Sequence, residues 1–425
     1  MKFILVIFSL FFLSSCFFGP VKELKYQIED TLDEGKPLVE PTKIKNISQT
    51  KAAVVTWQSD LEDYPNSDSH LFLGKENLFT ISSNGNLIAL NHEDGSVKWV
   101  KNFNVEVSSG ISGNDSVLVF TSKDGYIYCV NLNGKLLWRT FFGRVISPPL
   151  LLDDRAVLRR DDNLFIGINL LEGNIEWNYQ APSSPLTINT QGKMIFSDGV
   201  VYSGLPGSKL IALEASSGLI IWEVTISRPE GTSDIDRIND ITSQPIIDNS
   251  LIFTVSINGD IACLDRKTAE ILWKRPLSSF MGISDHLDEV IVVHETNSIY
   301  SLEKLSGKSN WRNPALKGRM LTTGIIIDDF FIVGDFEGYL HIIDINSGDI
   351  VGRTALRSKD KILNNMIKSL DGSFFAMNAN GSIYKFKLSD VDIPVDVSKE
   401  ELEDTELEDS TRLSIFDKLK DVILD

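Results

Sequence analysis

"NGNLIALNHEDGSVKW", residues 84–99, sets an apolar run, an Asp-Gly turn and a tryptophan four residues after the glycine in that order. The order returns in "DGYIYCVNLNGKLLW" at 124–138, so the stretch is one copy of a repeat. Aligning the chain on the turn glycine adds "NLFIGINLLEGNIEW" ending at Trp177, "SKLIALEASSGLIIW" at Trp222, "GDIACLDRKTAEILW" at Trp273 and "NSIYSLEKLSGKSNW" at Trp311. Trp57, in "AAVVTWQ", closes a lone strand ahead of the first full copy, which ends at Trp99. All seven tryptophans are then used. Successive gaps between them are 42, 39, 39, 45, 51 and 38 residues, and a further 41 reaches Gly352 in "YLHIIDINSGDIVG", a copy without tryptophan. "NGSIYKFKL" at 380–388 is a last half-copy with no final strand.

Alternation inside a copy, as over Tyr126, Ile127, Tyr128, Cys129 and Val130, is that of short strands joined by tight turns. The turn residues Asn, Asp and Gly accept positive φ. A period near 40 with four short strands fits a propeller blade, whose sheet is too small to bury both faces unless it stacks on its neighbours. The indole is the stacking piece. At the start of the outer strand it covers the adjoining blade, and its N–H finds a carbonyl there.

The fold class is therefore all-β. Seven blades end at Trp99, Trp138, Trp177, Trp222, Trp273, Trp311 and Gly352, and an eighth takes its inner strands from about 353–388 and its outer strand from "AAVVTWQ". Closure by the first strand removes the open edge of the ring. Eight blades over residues 51–388 is the reading adopted; seven is the alternative, with the half-copy as a tail.

Hydrophobic residues at 42% suffice for a large core, while a net charge of -18 excludes a nucleic-acid surface. The chain begins Met-Lys, runs apolar from Phe3 to Leu13 and reaches "LSSC" at Cys16. That anatomy is a secretory signal, too short to span a bilayer. The box resembles the bacterial lipoprotein signal, which implies cleavage after residue 15 and acylation of Cys16. Phe17 stands where an inner-membrane retention signal has aspartate, so the resemblance implies the outer membrane. Residues 16–50, polar with Pro37 and Pro41, read as a lipidated tether. The segment 389–425 reads as an acidic tail: ten carboxylates against one lysine over 390–409, then a stretch suited to a short amphipathic helix through Leu413, Phe416, Leu419 and Ile423, or to a frayed terminus.

No chemistry-bearing pattern emerges. The five histidines lack zinc spacing, and no nucleophile elbow, P-loop or dinucleotide motif occurs. Cys129 and Cys263 occupy the same place in non-adjacent repeats and read as buried small hydrophobes rather than a disulfide. Neither a catalytic residue, a cofactor nor a metal is expected. "ALNHEDGSVKW" resembles the tryptophan-docking motif of the pyrroloquinoline-quinone dehydrogenases, also eight-bladed. Their adjacent cysteine pair and long insertions are missing here, so a dehydrogenase-like or ion-binding propeller is the rival reading.

The longest spacing, Trp222 to Trp273, contains "SRPEGTSDIDRINDITSQP", Ser227 to Pro245, a polar insertion of the kind that carries binding on a rigid scaffold. Its G-x-x-D-I-D-R-x-x-D core, with Asp236 and Arg237, resembles the pattern of the BamB family of outer-membrane protein assembly factors. "GDFEGYLHIIDINSG", Gly334 to Gly348, is similar to a second family stretch. The resemblance covers about residues 50–388. It implies a non-enzymatic lipoprotein on the periplasmic face of the outer membrane that holds the periplasmic domains of BamA, sits among other assembly-machinery subunits and, in a looser form, receives nascent barrel strands at its blade edges. Two family loops are implicated in binding. The first, L-x-L-R, maps to Leu186, Ile188 and Asn189; the second, D-x-D, maps to Asp240 and Thr242. The expected surface is an exposed apolar pair, Leu186 and Ile188, rimmed by the Asp240 carboxylate.

Overall fold

The computed structural model describes residues 40–61, 70–184, 187–188, 192–230, 237–364 and 366–391, and every regular element among them is a strand. The strands follow one another as antiparallel quartets. Blade 1 comprises Leu71–Leu73, Asn77–Ile81, Asn86–Asn91 and Val97–Asn102; the pattern repeats through blade 7, Ile325–Ile327, Phe330–Gly334, Tyr339–Asp344 and Ile350–Ala355. Blade 8 takes Ile367–Lys368, Phe374–Met377 and Ser382–Asp390 from the end of the ring and its outermost strand, Lys51–Asp60, from the beginning. The pairing runs from Lys51↔Asp390 to Asp60↔Ser382. Eight blades closed by the first strand is the expected architecture.

The two middle strands of each blade are buried on both faces, as in Val117–Ser122, whereas outer strands such as Ile271–Pro276 alternate. The alternation expected over Tyr126–Val130 therefore does not divide core from solvent: Ile127 through Val130 are all buried. The reason is stacking, because each face of a blade meets another blade. The core is accordingly a ring of eight apolar clusters, one per interface. Phe165, Trp177, Leu205 and Ile211 join blades 3 and 4; Ile342, Phe374 and Phe386 join blades 7 and 8; Trp57, Phe375, Leu78 and Ile88 join blades 8 and 1.

The opening motif is a junction between blades. Trp57 of blade 8 donates its indole N–H to the His92 carbonyl of blade 1 at 3.2 Å, and its ring covers Gly95, whose φ is 74° and where a Cβ would sit 2.4 Å from the indole. Trp138, Trp177, Trp222, Trp273 and Trp311 donate to Leu170, Ala215, Arg266, Lys304 and Ile345 of the next blade. Trp99 lies over the turn of Gly134. In blades 1 to 6 a bulge just before the tryptophan re-aims it over the sheet. The residue paired with it is small every time: Ala89, Cys129, Gly167, Ala212, Cys263 and Ser301. This gives the cysteines their place. Both are buried free thiols whose pKa burial pushes up to about 12.

Blade 7 has no tryptophan because blade 8 has no turn to receive one: its third and fourth strands come from opposite ends of the ring. Gly352 instead admits the first strand, through a parallel bridge to Lys51; a Cβ there would lie 2.2 Å from the Lys51 carbonyl oxygen. The cross-strand partner, small elsewhere, is Ile342. Residues 42–50, expected to belong to a free tether, lie against blade 7. Thr42 bonds to the Lys317 carbonyl, and Thr50 N–H donates to Val351. A buried chain of polar groups sits beneath this strap: Arg319 to Asp335 at 2.7 Å, Asp335 to His341 at 2.9 Å and Arg353 to His341 at 3.1 Å. Arg319 also reaches the Thr42 carbonyl and Arg353 the Lys45 carbonyl. The last strand runs to Asp390, two residues past the expected end of the ring, so Ser389 and Asp390 pair with the first strand instead of opening the acidic tail. Cys16, the tether ahead of residue 40 and the tail beyond residue 391 lie outside the described residues.

Candidate partner-binding loops

Antiparallel quartets put the links between blades, together with the turns between second and third strands, on one face of the ring. The other turns lie on the opposite face. The link from blade 3 to blade 4 spans 181–194, and that from blade 4 to blade 5, the longest, spans 226–245. Both of the loops implicated by sequence are therefore neighbours on one face.

Asp240 joins them from inside. Its Oδ2 accepts the Thr187 hydroxyl at 2.5 Å and the Ile188 N–H at 2.9 Å, and Oδ1 accepts the Gly207 N–H at 3.2 Å. One carboxylate thus holds both links and a turn of blade 4. Asp240 is only 3% exposed, which corrects its expected place at a solvent rim. The insertion has polar turn chemistry, but its backbone must be satisfied where it crosses the ring, and an inward carboxylate can do so. Behind it Arg159 donates to the Gly204 carbonyl at 2.5 Å. Burial lowers the Arg159 pKa to about 10, with Asp240 pulling the other way, so the guanidinium remains charged at neutral pH. The small cavity between Arg159, Thr187 and Asp240, about 10 Å³, holds one water at most.

The rest of the insertion is fastened in the same way. Asn239 donates to the Ser227 carbonyl, Ile241 packs on Gly204, and Asn258 donates to the Ile238 carbonyl. Thr242, standing in the position of the family's second aspartate, donates to the Phe280 carbonyl at 3.3 Å and so ties in the link from blade 5 to blade 6. Ile188 is 37% exposed above this platform and Phe280 is 45% exposed on the adjoining link. Arg237 is exposed in a turn. Leu186, Asn189 and Asp236 lie outside the described residues. Sequence reasoning missed Phe280, although "SSFMG" at 278–282 shows the same signature as the loop of Ile188, an apolar pair in a short polar link.

A tryptophan-docked eight-bladed ring with three links knitted into one platform is a propeller of the quinoprotein-like class. The family model described as outer membrane protein assembly factor BamB matches residues 83–313, more than half of the chain. The chain belongs to that family. The outer membrane protein assembly factor BamB of Burkholderia pseudomallei is 27% identical over 279 residues, 65% of this chain and 73% of the relative. The crystal structure of BamB from Moraxella catarrhalis superposes with a TM-score of 0.71 at 21% identity, covering 79% of this chain and 99% of that one. A quinohemoprotein alcohol dehydrogenase from Pseudomonas putida HK5 superposes at 0.64 with 11% identity, covering 87% of this chain and 80% of that one. That last likeness is one of fold.

Proposed function

We propose that the chain is a non-enzymatic scaffold of outer-membrane protein assembly, lipid-anchored through Cys16 on the periplasmic face, which docks the periplasmic domains of BamA on its knitted links. Family membership supports the assembly role. The observation that carries the docking surface is the single carboxylate of Asp240 holding the two links together beneath an exposed Ile188. A rigid platform with an apolar anchor binds without a large ordering cost. Arg237, Thr242 and the undescribed Leu186, Asn189 and Asp236 complete the surface, and Phe280 extends it. The dehydrogenase-like rival rests on a shared fold, which does not carry function.

Titration of the purified full chain against the cognate BamA periplasmic domains tests the reading. Leu186→Ala with Ile188→Ala lowers affinity by tenfold or more and leaves the melting temperature unchanged. Asp240→Ala lowers both affinity and stability, the latter by about 1–3 kcal/mol, because it strands buried donors. Full affinity in the double variant, with its fold intact, overturns the assignment. Mass spectrometry of the protein from outer membranes checks the acyl chains on Cys16.

A further inference from the structure

The same two blades carry a different surface on their opposite face. There the turns of blades 3 and 4 enclose a groove of about 470 Å³ lined by Leu151, Leu152 and Phe196, with Asp153, Asp154 and Glu214 among its polar walls. The volume lies in the range of sites that accept a few side chains, roughly 300–1,000 Å³. Phe196 is 41% exposed. Beside the groove, on the outer turns of these blades, Leu171 and Leu219 are 87% and 66% exposed. Scattered surface leucines need no explanation; these two sit on turns that adjoin the cleft. Leu219 follows the turn that holds Glu214, Ala215 and Ser216 of the lining, and the Leu170 N–H, next to Leu171, bonds to the carbonyl of Asp154.

Charge selects the occupant. The cation in the lining, Arg155, is spent as a staple between the blades: it donates to the Ser216 carbonyl at 2.9 Å and pairs with Asp154 and Glu176 at 2.9 and 3.3 Å. Its side chain is only 15% exposed. Asp153, Glu214 and, on the turn of Leu171, Glu172 are exposed carboxylates. An anionic lipid surface is repelled by such a rim, whereas a basic one is steered to it.

We propose that this groove is a second docking surface, for a polypeptide segment that carries lysine or arginine beside aliphatic or aromatic side chains. The apolar groups fill the cleft between Leu152 and Phe196, and the cations meet Asp153 and Glu214. The ring then holds two partners on opposite faces of blades 3 and 4, a role independent of docking on the links.

Fluorescence anisotropy with the full chain tests this, using a labelled six-residue peptide of alternating lysine and leucine or phenylalanine, and a second peptide with glutamate in place of lysine. The basic peptide binds, and it loses tenfold or more in affinity with Asp153→Lys plus Glu214→Lys and, separately, with Leu171→Ser plus Leu219→Ser. Binding of the acidic peptide is at least tenfold weaker, and Leu305→Ser, at an exposed position on blade 6, leaves the affinity for the basic peptide unchanged. All four substitutions are at exposed positions, and melting curves verify the fold. The proposal is overturned by no binding, by affinity that survives both pairs of changes, which marks the general attraction of an acidic protein, or by phosphatidylglycerol vesicles binding with the same sensitivity.

Discussion

Seven of the eight blade interfaces are closed by an indole laid over the next blade's turn, and the eighth, between blades 7 and 8, is closed by backbone. The difference follows from where the chain's ends fall. An indole needs a turn to cover, and a blade assembled from both ends of the ring has none in that place. The seam therefore substitutes a parallel bridge at Gly352, a strap of residues 42–50 and the Arg319, Asp335, His341 and Arg353 network. Repetition supplies interchangeable apolar junctions; closure needs a polar device specific to one site.

Deleting residues 51–58 is the harshest way to break the comparison. It removes the outer strand of blade 8 and the Trp57 indole together, and the ring opens with an unpaired sheet edge; the expected result is loss of cooperative melting and aggregation. An unchanged melting temperature in the soluble deletion variant would show that the strand is not part of the ring. Trp57→Ala alone costs about 3–5 kcal/mol, since the indole is nearly as buried as a core aromatic, and denaturant titration reads it directly. Gly352→Trp sharpens the contrast, because it restores the repeat motif where the seam excludes it. The new side chain collides with Lys51, and the change destabilises by about 1–3 kcal/mol as overpacking does; a gain in stability would refute the seam's account of the missing tryptophan. The smallest effect is one of pH. Burial holds the His341 pKa below its ordinary 6.5, against the pull of Asp335. The unfolded chain thus takes up a proton below pH 6.5 that the folded ring resists, and stability present above that pH is lost as pH falls. The melting temperature of His341→Gln should fall less steeply between pH 6.5 and 5 than that of the parent chain.

The ring was legible because its defining side chain is rare and its spacing regular. Tryptophan and turn glycine marked each junction, and the lone Trp57 betrayed the closing strand. The small residues opposite the indoles were in plain view but had no meaning until the bulge fixed the register; Ala89, Cys129 and Gly167 share size and nothing else. Sequence placed the two links correctly as neighbours but put Asp240 at the rim. A carboxylate in a polar loop reads as solvated, and only the crossing of three backbones around it turns it inward. The strap was read as tether for a similar reason, since its partners Lys317 and Arg353 lie some three hundred residues away in sequence.

That strap has a mechanical meaning. Tension on the chain ahead of Thr42 meets the ring first at Lys317 and Arg319, then at Arg353 through Lys45 and Gln49, and only afterwards at the closing strand. The contacts along the strap act as a cable clamp between a pulled cord and the joint it would otherwise tear. Under such a pull the pairing of the closing strand stays unloaded until the clamp has slipped.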